Sequence, residues 1–170
     1  MDMKLTKLTI RTDDDPCLRK KSARVKFLGP AERLLIEAMF ETMYDSKGIG
    51  LAASQVGINQ QIFVMDVNQD PIVVVNPKII KRSGSGCMEE GCLSLPGKVV
   101  NVRRPQKISV KYSDVNNRTV EREFSELAAR AFLHETDHLL GKLIIDYRGL
   151  RERLGLKKRK AKTADREAVI

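Results

Sequence analysis

The chain has 170 residues, with 31 Lys and Arg against 22 Asp and Glu, a net charge of +9. At 42% hydrophobic and 31% charged it can fill a core, which excludes a mainly disordered or collagen-like chain. No apolar run approaches the roughly 18 residues a membrane span needs, and the N-terminal MDMKLTKLTIRTDDD lacks the apolar block of a signal peptide. Three cysteines without framework spacing argue for a reducing compartment, so a cytoplasmic monomer is expected, with one domain over 1–150 and a basic tail over 151–170.

Segment 31–47, AERLLIEAMFETMYDSK, carries Leu35, Ala38, Met39 and Met43 at helical spacing. Pro30 suits its first turn and Gly48 its stop. GIGLAASQVG then reads as a glycine-bracketed loop. QIFVMDV (61–67) and PIVVVNPKII (71–80), rich in Val and Ile, predict strands. A Gly/Ser loop (83–86) leads into GCMEEGCLSLPG, whose EEGCLSLPG part reads as a loop-like setting between strands, and KVVNVRRP (98–105) predicts a further strand. KISVKYSDV and RTVEREF flank a hairpin turn at Asn116–Asn117. SELAARAFLHETDHLLG (125–141) predicts the second helix, with Ser125 as N-cap and Gly141 closing it. Strands in the middle with helices near both ends, and no regular βαβ alternation, give an α+β class with mostly antiparallel sheets. Residues 151–170 carry eight Lys/Arg against three Asp/Glu, hence +5 of the +9. They read either as a solvated terminal helix or as a footprint for an anionic partner such as RNA, held by its backbone because the tail has no aromatic residue.

The chain has two histidines, His134 and His138, in the sequence HETDH. Four residues apart on a helix they share one face, so both imidazoles can reach one cation, and Glu135 stands beside them to exchange protons with a bound water. Chance placement of such a set is on the order of one in a thousand. A hydrolytic site needs a third protein ligand and an open position. Where a longer three-histidine motif would place its last ligand Ile144 stands, and Glu152 and Glu167 fall near or in the basic tail. A thiolate is chemically sound for zinc or ferrous iron. Cys92, after Gly91 in EEGCLSLPG, is the first candidate, with Cys87 and Cys17 as rivals.

GIGLAA fits the dinucleotide fingerprint only superficially, because it follows a helix and precedes a strand where the fingerprint requires the reverse. Its glycines let backbone approach a ligand, and Gln55 after them offers a neutral donor for a developing oxyanion, the alternative being a surface glutamine.

GIGLAASQ (48–55), EGCLS (90–94) and HETDH (134–138), in that order, resemble the peptide deformylases; DDPCLRKKSARV (14–25) and VRRP (102–105) extend the resemblance over nearly 1–150. The resemblance implies antiparallel sheets around a central helix bearing HExxH, with a C-terminal helix. It implies hydrolysis of the N-formyl group from the initiator methionine of nascent polypeptides. By the same resemblance Cys92, His134 and His138 hold the metal, usually Fe²⁺ and replaceable by Zn²⁺, Ni²⁺ or Co²⁺. Glu135 shuttles the proton, Gln55 and the Leu93 N–H hold the formyl oxygen, and the backbones of Ile49, Gly50 and Gly91 pair with the substrate as an added strand. Leu127 and Ala131, on roughly the face of His134, are expected with Ile49 either to line a methionine pocket or to pack in the core. Asp137 is read as an anchor paired with Arg104 or as a surface carboxylate. The chain departs from many relatives in carrying Leu133, not glutamine, before the first histidine. In some members a basic C-terminal helix docks near the ribosomal exit tunnel, which makes ribosomal RNA a candidate partner for 151–162. An endopeptidase also uses HExxH, but EGCLS argues against one; a non-catalytic RNA-binding protein is the remaining alternative.

Overall fold

The structure, a computed structural model, describes residues 7–12 and 14–149 and the backbone of Ala168–Val169. Helix α1 (Pro30–Asp45) begins where Glu32 Oε2 accepts the Gly29 N–H at 2.9 Å, and Pro30 takes the first position, where an N–H has no helical partner. The strands are β1 (Gly50–Ala52), β2 (Ile62–Asp66), β3 (Pro71–Ser83), β4 (Gly86–Gly91), β5 (Val100–Arg104), β6 (Lys107–Ser113) and β7 (Thr119–Ser125). Helix α2 (Glu126–Leu139) follows, and Ala168–Val169 form the two-residue β8. One sheet is ordered β1-β2-β3-β6-β7, with every pair antiparallel; the other is β5-β4-β8, with β4 and β8 parallel. This is the α+β class that the order of elements implies. No helix among the described residues is long and apolar enough to cross a membrane.

Strand β2 explains how the larger sheet is covered. Successive side chains of a strand point to opposite faces, and in IFVMD both faces are buried. Phe63 and Met65 join Ala129, Phe132 and Leu133 of α2, whereas Ile62 and Val64 join Ile36, Met39 and Met43 of α1. One helix therefore packs on each face of the sheet, and β2 needs an unbroken apolar run. Phe132 is fully buried, edge-on to Phe63 at 5.0 Å between centroids and stacked on Phe124 at 5.3 Å. Truncation to alanine there costs about 3–5 kcal/mol.

Two segments differ from their predicted form. GIGLAASQVG is not a loop: Gly50–Ala52 pair with Met65, Val64 and Phe63 of β2, and Ala53–Val56 make a 3-10 turn. Glu89–Gly91, read as the start of a loop-like stretch, likewise belong to a strand, β4, whose low intrinsic preference is overridden by pairing with β5. Pro16–Arg19 and Ile144–Tyr147 form further 3-10 turns. Helix α2 ends as read, at Gly141: its φ of +71° suits glycine, and a Cβ there would lie 2.4 Å from the Arg19 carbonyl oxygen. The helix expected over 151–170 lies outside the described residues, apart from the backbone of β8.

Candidate metal centre

Three elements converge at one end of α2. The helix brings His134, Glu135 and His138, all at most 1% exposed. Cys92, also buried, immediately follows β4, and Gln55 comes from the turn after β1. Of the three cysteines it is Cys92 that joins the histidines; Cys87 is exposed, and the Cys17 thiol contacts the Ser54 carbonyl instead.

The ligating atoms of Cys92, His134 and His138 all lie within 4.8 Å of one another. Cys92 Sγ is 3.3 Å from His138 Nε2, which is 3.2 Å from His134 Nε2. The 3.3 and 3.2 Å separations are close to the edges of a tetrahedron with ligand bonds of about 2.0–2.3 Å, so a thiolate and two imidazoles could hold one divalent cation and leave a position for water. Burial first, and then the electrostatic influence of the neighbouring His134 and Arg104, lowers the His138 pKa well below its usual value, which keeps that imidazole neutral and able to ligate. Burial pushes the Cys92 thiol up to about 12; a coordinated cation reverses that by holding the thiolate.

Behind His134 stands a carboxylate to which the sequence reading assigned no role. The alternation of β4 turns Glu90 inward while Glu89 stays exposed. Glu90 Oε2 is 3.0 Å from His134 Nδ1 and accepts from Arg104 Nη2 at 2.9 Å; Oε1 accepts from Arg104 Nε at 2.7 Å and Arg130 Nη1 at 2.6 Å. Four donors thus meet the four acceptor directions of one carboxylate. Burial alone would raise its pKa, but the bonds from His134 and Arg104 outweigh it and hold the group at about 2. An ionised Glu90 accepts the Nδ1 proton, which leaves the Nε2 lone pair directed at the cluster. Arg104 also donates through Nη1 to Asp137 Oδ2 at 2.8 Å, and the Tyr147 hydroxyl donates to the same oxygen at 2.8 Å. The anchoring role read for Asp137 is therefore the one observed. A single cue was available for Glu90: a glutamate two residues before the ligand cysteine, on the inward face of a strand.

Glu135 is treated differently. Both of its oxygens are buried without a hydrogen-bond partner among the described residues, and burial first of all raises its pKa well above the usual carboxylate range. Its carboxyl lies against the backbone of Gly50, where a Cβ would stand 2.5 Å from Glu135 Oε1. Gln55 is held by the Ala52 N–H, which donates to its Oε1 at 2.8 Å, so its amide nitrogen points to Ser94 Oγ at 3.2 Å and toward Cys92 Sγ at 3.7 Å. Gln55 is thus a buried, oriented donor and not a surface residue.

The remaining predicted residues divide. Gly91 precedes Cys92 at the end of β4, and Leu93 packs over Gly48, where a Cβ would meet its Cδ1 at 2.7 Å. The Ile49 carbonyl accepts the Asp66 N–H at 2.9 Å, so antiparallel alternation leaves the backbone of Gly50 facing the open edge of β1. Ala131 is fully buried in the core, while Leu127 and Ile49 are half-buried at its margin.

A Cys-His-His donor set beside a carboxyl with no hydrogen-bond partner among the described residues, on a helix packed against antiparallel strands, defines a metal-dependent hydrolase. The sequence profile of the polypeptide deformylases matches residues 7–153. The peptide deformylase of Alkaliphilus metalliredigens is 50% identical over 137 residues, covering 81% of this chain and 93% of that one. That of Thermotoga neapolitana is 46% identical over 151 residues, 88% of this chain and 92% of the other. The crystal structure of the Thermotoga maritima peptide deformylase superposes with a TM-score of 0.82 at 45% identity, covering 84% and 97% of the two chains. A Met-Ala-Ser-bound crystal structure of the class I type b enzyme from Acinetobacter baumannii gives 0.81 at 29% identity, over 84% and 99%. The chain belongs to the peptide deformylase family.

Proposed function

We propose that this deformylase binds its metal through Cys92, His134 and His138, and that Fe²⁺ is the native ion. The observation that carries the reading is Glu135, a buried carboxyl with no hydrogen-bond partner on either oxygen among the described residues, next in sequence to His134 of the Cys-His-His cluster. A bound cation would lower the pKa of water to about 7 and polarise the formyl oxygen. Glu135 takes the proton of the attacking water as the new C–O bond forms, then delivers it to the leaving nitrogen as the C–N bond breaks. The products are formate and a free methionyl amine. The Gln55 amide and the Leu93 N–H receive the oxygen as it becomes negative; loss of one such donor costs about 10²–10³ in rate.

The formylmethionyl peptide lies as an added strand between Gly50 of β1 and Gly91 of β4. Its methionine side chain faces Ile49 and Leu127, because Ala131 is closed off inside the core. The Met-Ala-Ser bound to the Acinetobacter baumannii enzyme supports a short methionyl peptide as the ligand. The same reading has the enzyme act in the cytoplasm on nascent chains, with the basic residues 151–162, which lie outside the described residues, contacting ribosomal RNA through phosphate. Anaerobic turnover of formyl-Met-Ala-Ser by Fe²⁺- or Ni²⁺-loaded protein tests the reaction. Formate release that is lost in Glu135→Ala is expected; no release with one equivalent of metal bound would overturn it.

A further inference from the structure

A glutamine side chain turns about several bonds, so its amide is aimed only as well as its partners fix it. Gln55 is held at both ends of that amide. Its Oε1 accepts the Ala52 N–H at 2.8 Å, and a backbone N–H can only donate, so the amide nitrogen must stand on the opposite side. There Nε2 donates to Ser94 Oγ at 3.2 Å and lies 3.7 Å from Cys92 Sγ. An amide nitrogen carries two hydrogens; with one taken by the Ser94 hydroxyl, the other is turned toward Cys92 Sγ, on the side of the Cys-His-His cluster. Gln55 and Ser94 are both fully buried, so bulk water does not compete for the shared hydrogen. Ser94 is fixed in its turn, because the Leu95 N–H donates to the Cys92 carbonyl at 2.9 Å and closes a tight turn over Leu93 and Ser94.

We propose that Ser94 is a positioning residue for the reaction: its hydroxyl sets the Gln55 amide relative to the Leu93 N–H, so that both donors converge on the formyl oxygen. The inference rests on the reading of Gln55 and Leu93 as the oxyanion donors. Those donors come from different segments, one after β1 and one after β4, and the Gln55–Ser94 bond joins the two segments beside the reacting atoms. Donors aimed in advance need no reorganisation as charge develops on the oxygen. Without the hydroxyl the buried amide has a hydrogen with no acceptor, and it turns to find one, which takes the other hydrogen off its aim. The loss falls on kcat, because the interaction is made in the transition state and not in the ground state.

The test is a double-mutant cycle on the full chain loaded with Ni²⁺, each variant carrying one equivalent of metal and turning over formyl-Met-Ala-Ser. Ser94→Ala should lower kcat about tenfold and leave KM within about twofold of wild type. Gln55→Ala should lower kcat about 10²–10³-fold, the cost of a whole oxyanion donor. Adding Ser94→Ala to Gln55→Ala should change kcat by less than about twofold, because the hydroxyl then has no amide to aim. A packing role would instead give the same loss in both backgrounds, and that result overturns the inference. Ser94→Thr, which keeps the acceptor, should recover most of the activity; a loss equal to that of Ser94→Ala overturns the inference as well. Wild-type kcat in Gln55→Ala would overturn the oxyanion reading of Gln55 and the inference with it. A slow Gln55→Ala beside an unimpaired Ser94→Ala overturns the positioning role alone.

Discussion

Glu90 Oε2 stands 3.0 Å from His134 Nδ1, and neither residue is more than 1% exposed. The carboxylate fixes the imidazole tautomer, and Arg104 and Arg130 fix the carboxylate. Replacing Glu90 by glutamine removes the charge while keeping the shape, and sets a poor acceptor between two buried guanidinium groups. Metal affinity in Glu90→Gln should fall about 10–100-fold, measured by competition with a chelator. Loss of the buried partner should also destabilise the fold by about 3–5 kcal/mol, read from denaturant unfolding at equal metal content. Wild-type affinity in this variant would remove Glu90 from the account.

Gly50 and Glu135 make the second prediction. A methyl group at position 50 would stand 2.5 Å from Glu135 Oε1, so Gly50→Ala must displace the carboxyl or shift β1. The reacting geometry tolerates little of either, and a displacement of about 1 Å costs roughly a hundredfold in rate. The expected outcome is a kcat lower by about that factor with the metal still bound at one equivalent. A kcat within twofold of wild type would show that Glu135 does not need its place against Gly50.

What the sequence makes legible here follows from how local each signal is. HETDH lies on one helix, so its spacing already states its geometry, and the two histidines meet as read. Cys92 and Gln55 reach the centre from elements far apart in the chain; the residues alone left Cys92 with two rivals and Gln55 with a surface alternative, and the resemblance to a family chose between them. Glu90 was quoted within EGCLS and given no task, because its purpose arises only when β4 pairs with β5 and α2 crosses behind. The end of β4, Glu89–Gly91, hid as a loop: its glycine and glutamates carry little strand preference, and pairing supplies what propensity does not. Ala131, read either as a pocket wall or as core packing, is fully buried. Helical spacing places it on the face of His134, but depth in the core is not written in periodicity.

Arg104 joins Glu90 to Asp137, with Tyr147 packed 5.1 Å from its guanidinium carbon. Lysine keeps the charge but cannot bond Glu90 twice and reach Asp137 at once. Arg104→Lys should destabilise the protein by about 1.5–3 kcal/mol, the worth of a charge-assisted hydrogen bond, with a smaller loss in Tyr147→Phe. Equal stability of Arg104→Lys and wild type in urea unfolding would contradict the bridge.

Thiol chemistry separates the three cysteines. Burial first, and then the bond with Asp15, pushes Cys17 up to about 11, and burial pushes metal-free Cys92 up to about 12, so at pH 8 about one in a thousand or fewer of either is thiolate. Cys87 is exposed. In the metal-free protein at pH 8 a disulfide reagent should modify one thiol quickly, and Cys87→Ser should abolish that phase. The slow modification of Cys17 should quicken about tenfold per pH unit up to its pKa. A fast thiol that survives Cys87→Ser would show the burial of Cys17 or Cys92 to be wrong.

One cysteine and two histidines make a single cluster, with Cys92, His134 and His138 within 4.8 Å of one another. Loading the protein with Co²⁺ tests it most directly, because a thiolate ligand produces a sulfur-to-metal charge-transfer band in the near ultraviolet. One tightly bound cobalt per chain is expected, with the band present in wild type. It also predicts loss of the band in Cys92→Ser and loss of tight binding in His134→Ala and in His138→Ala. Full-strength cobalt binding with the band intact in Cys92→Ser would put the metal elsewhere and contradict the account.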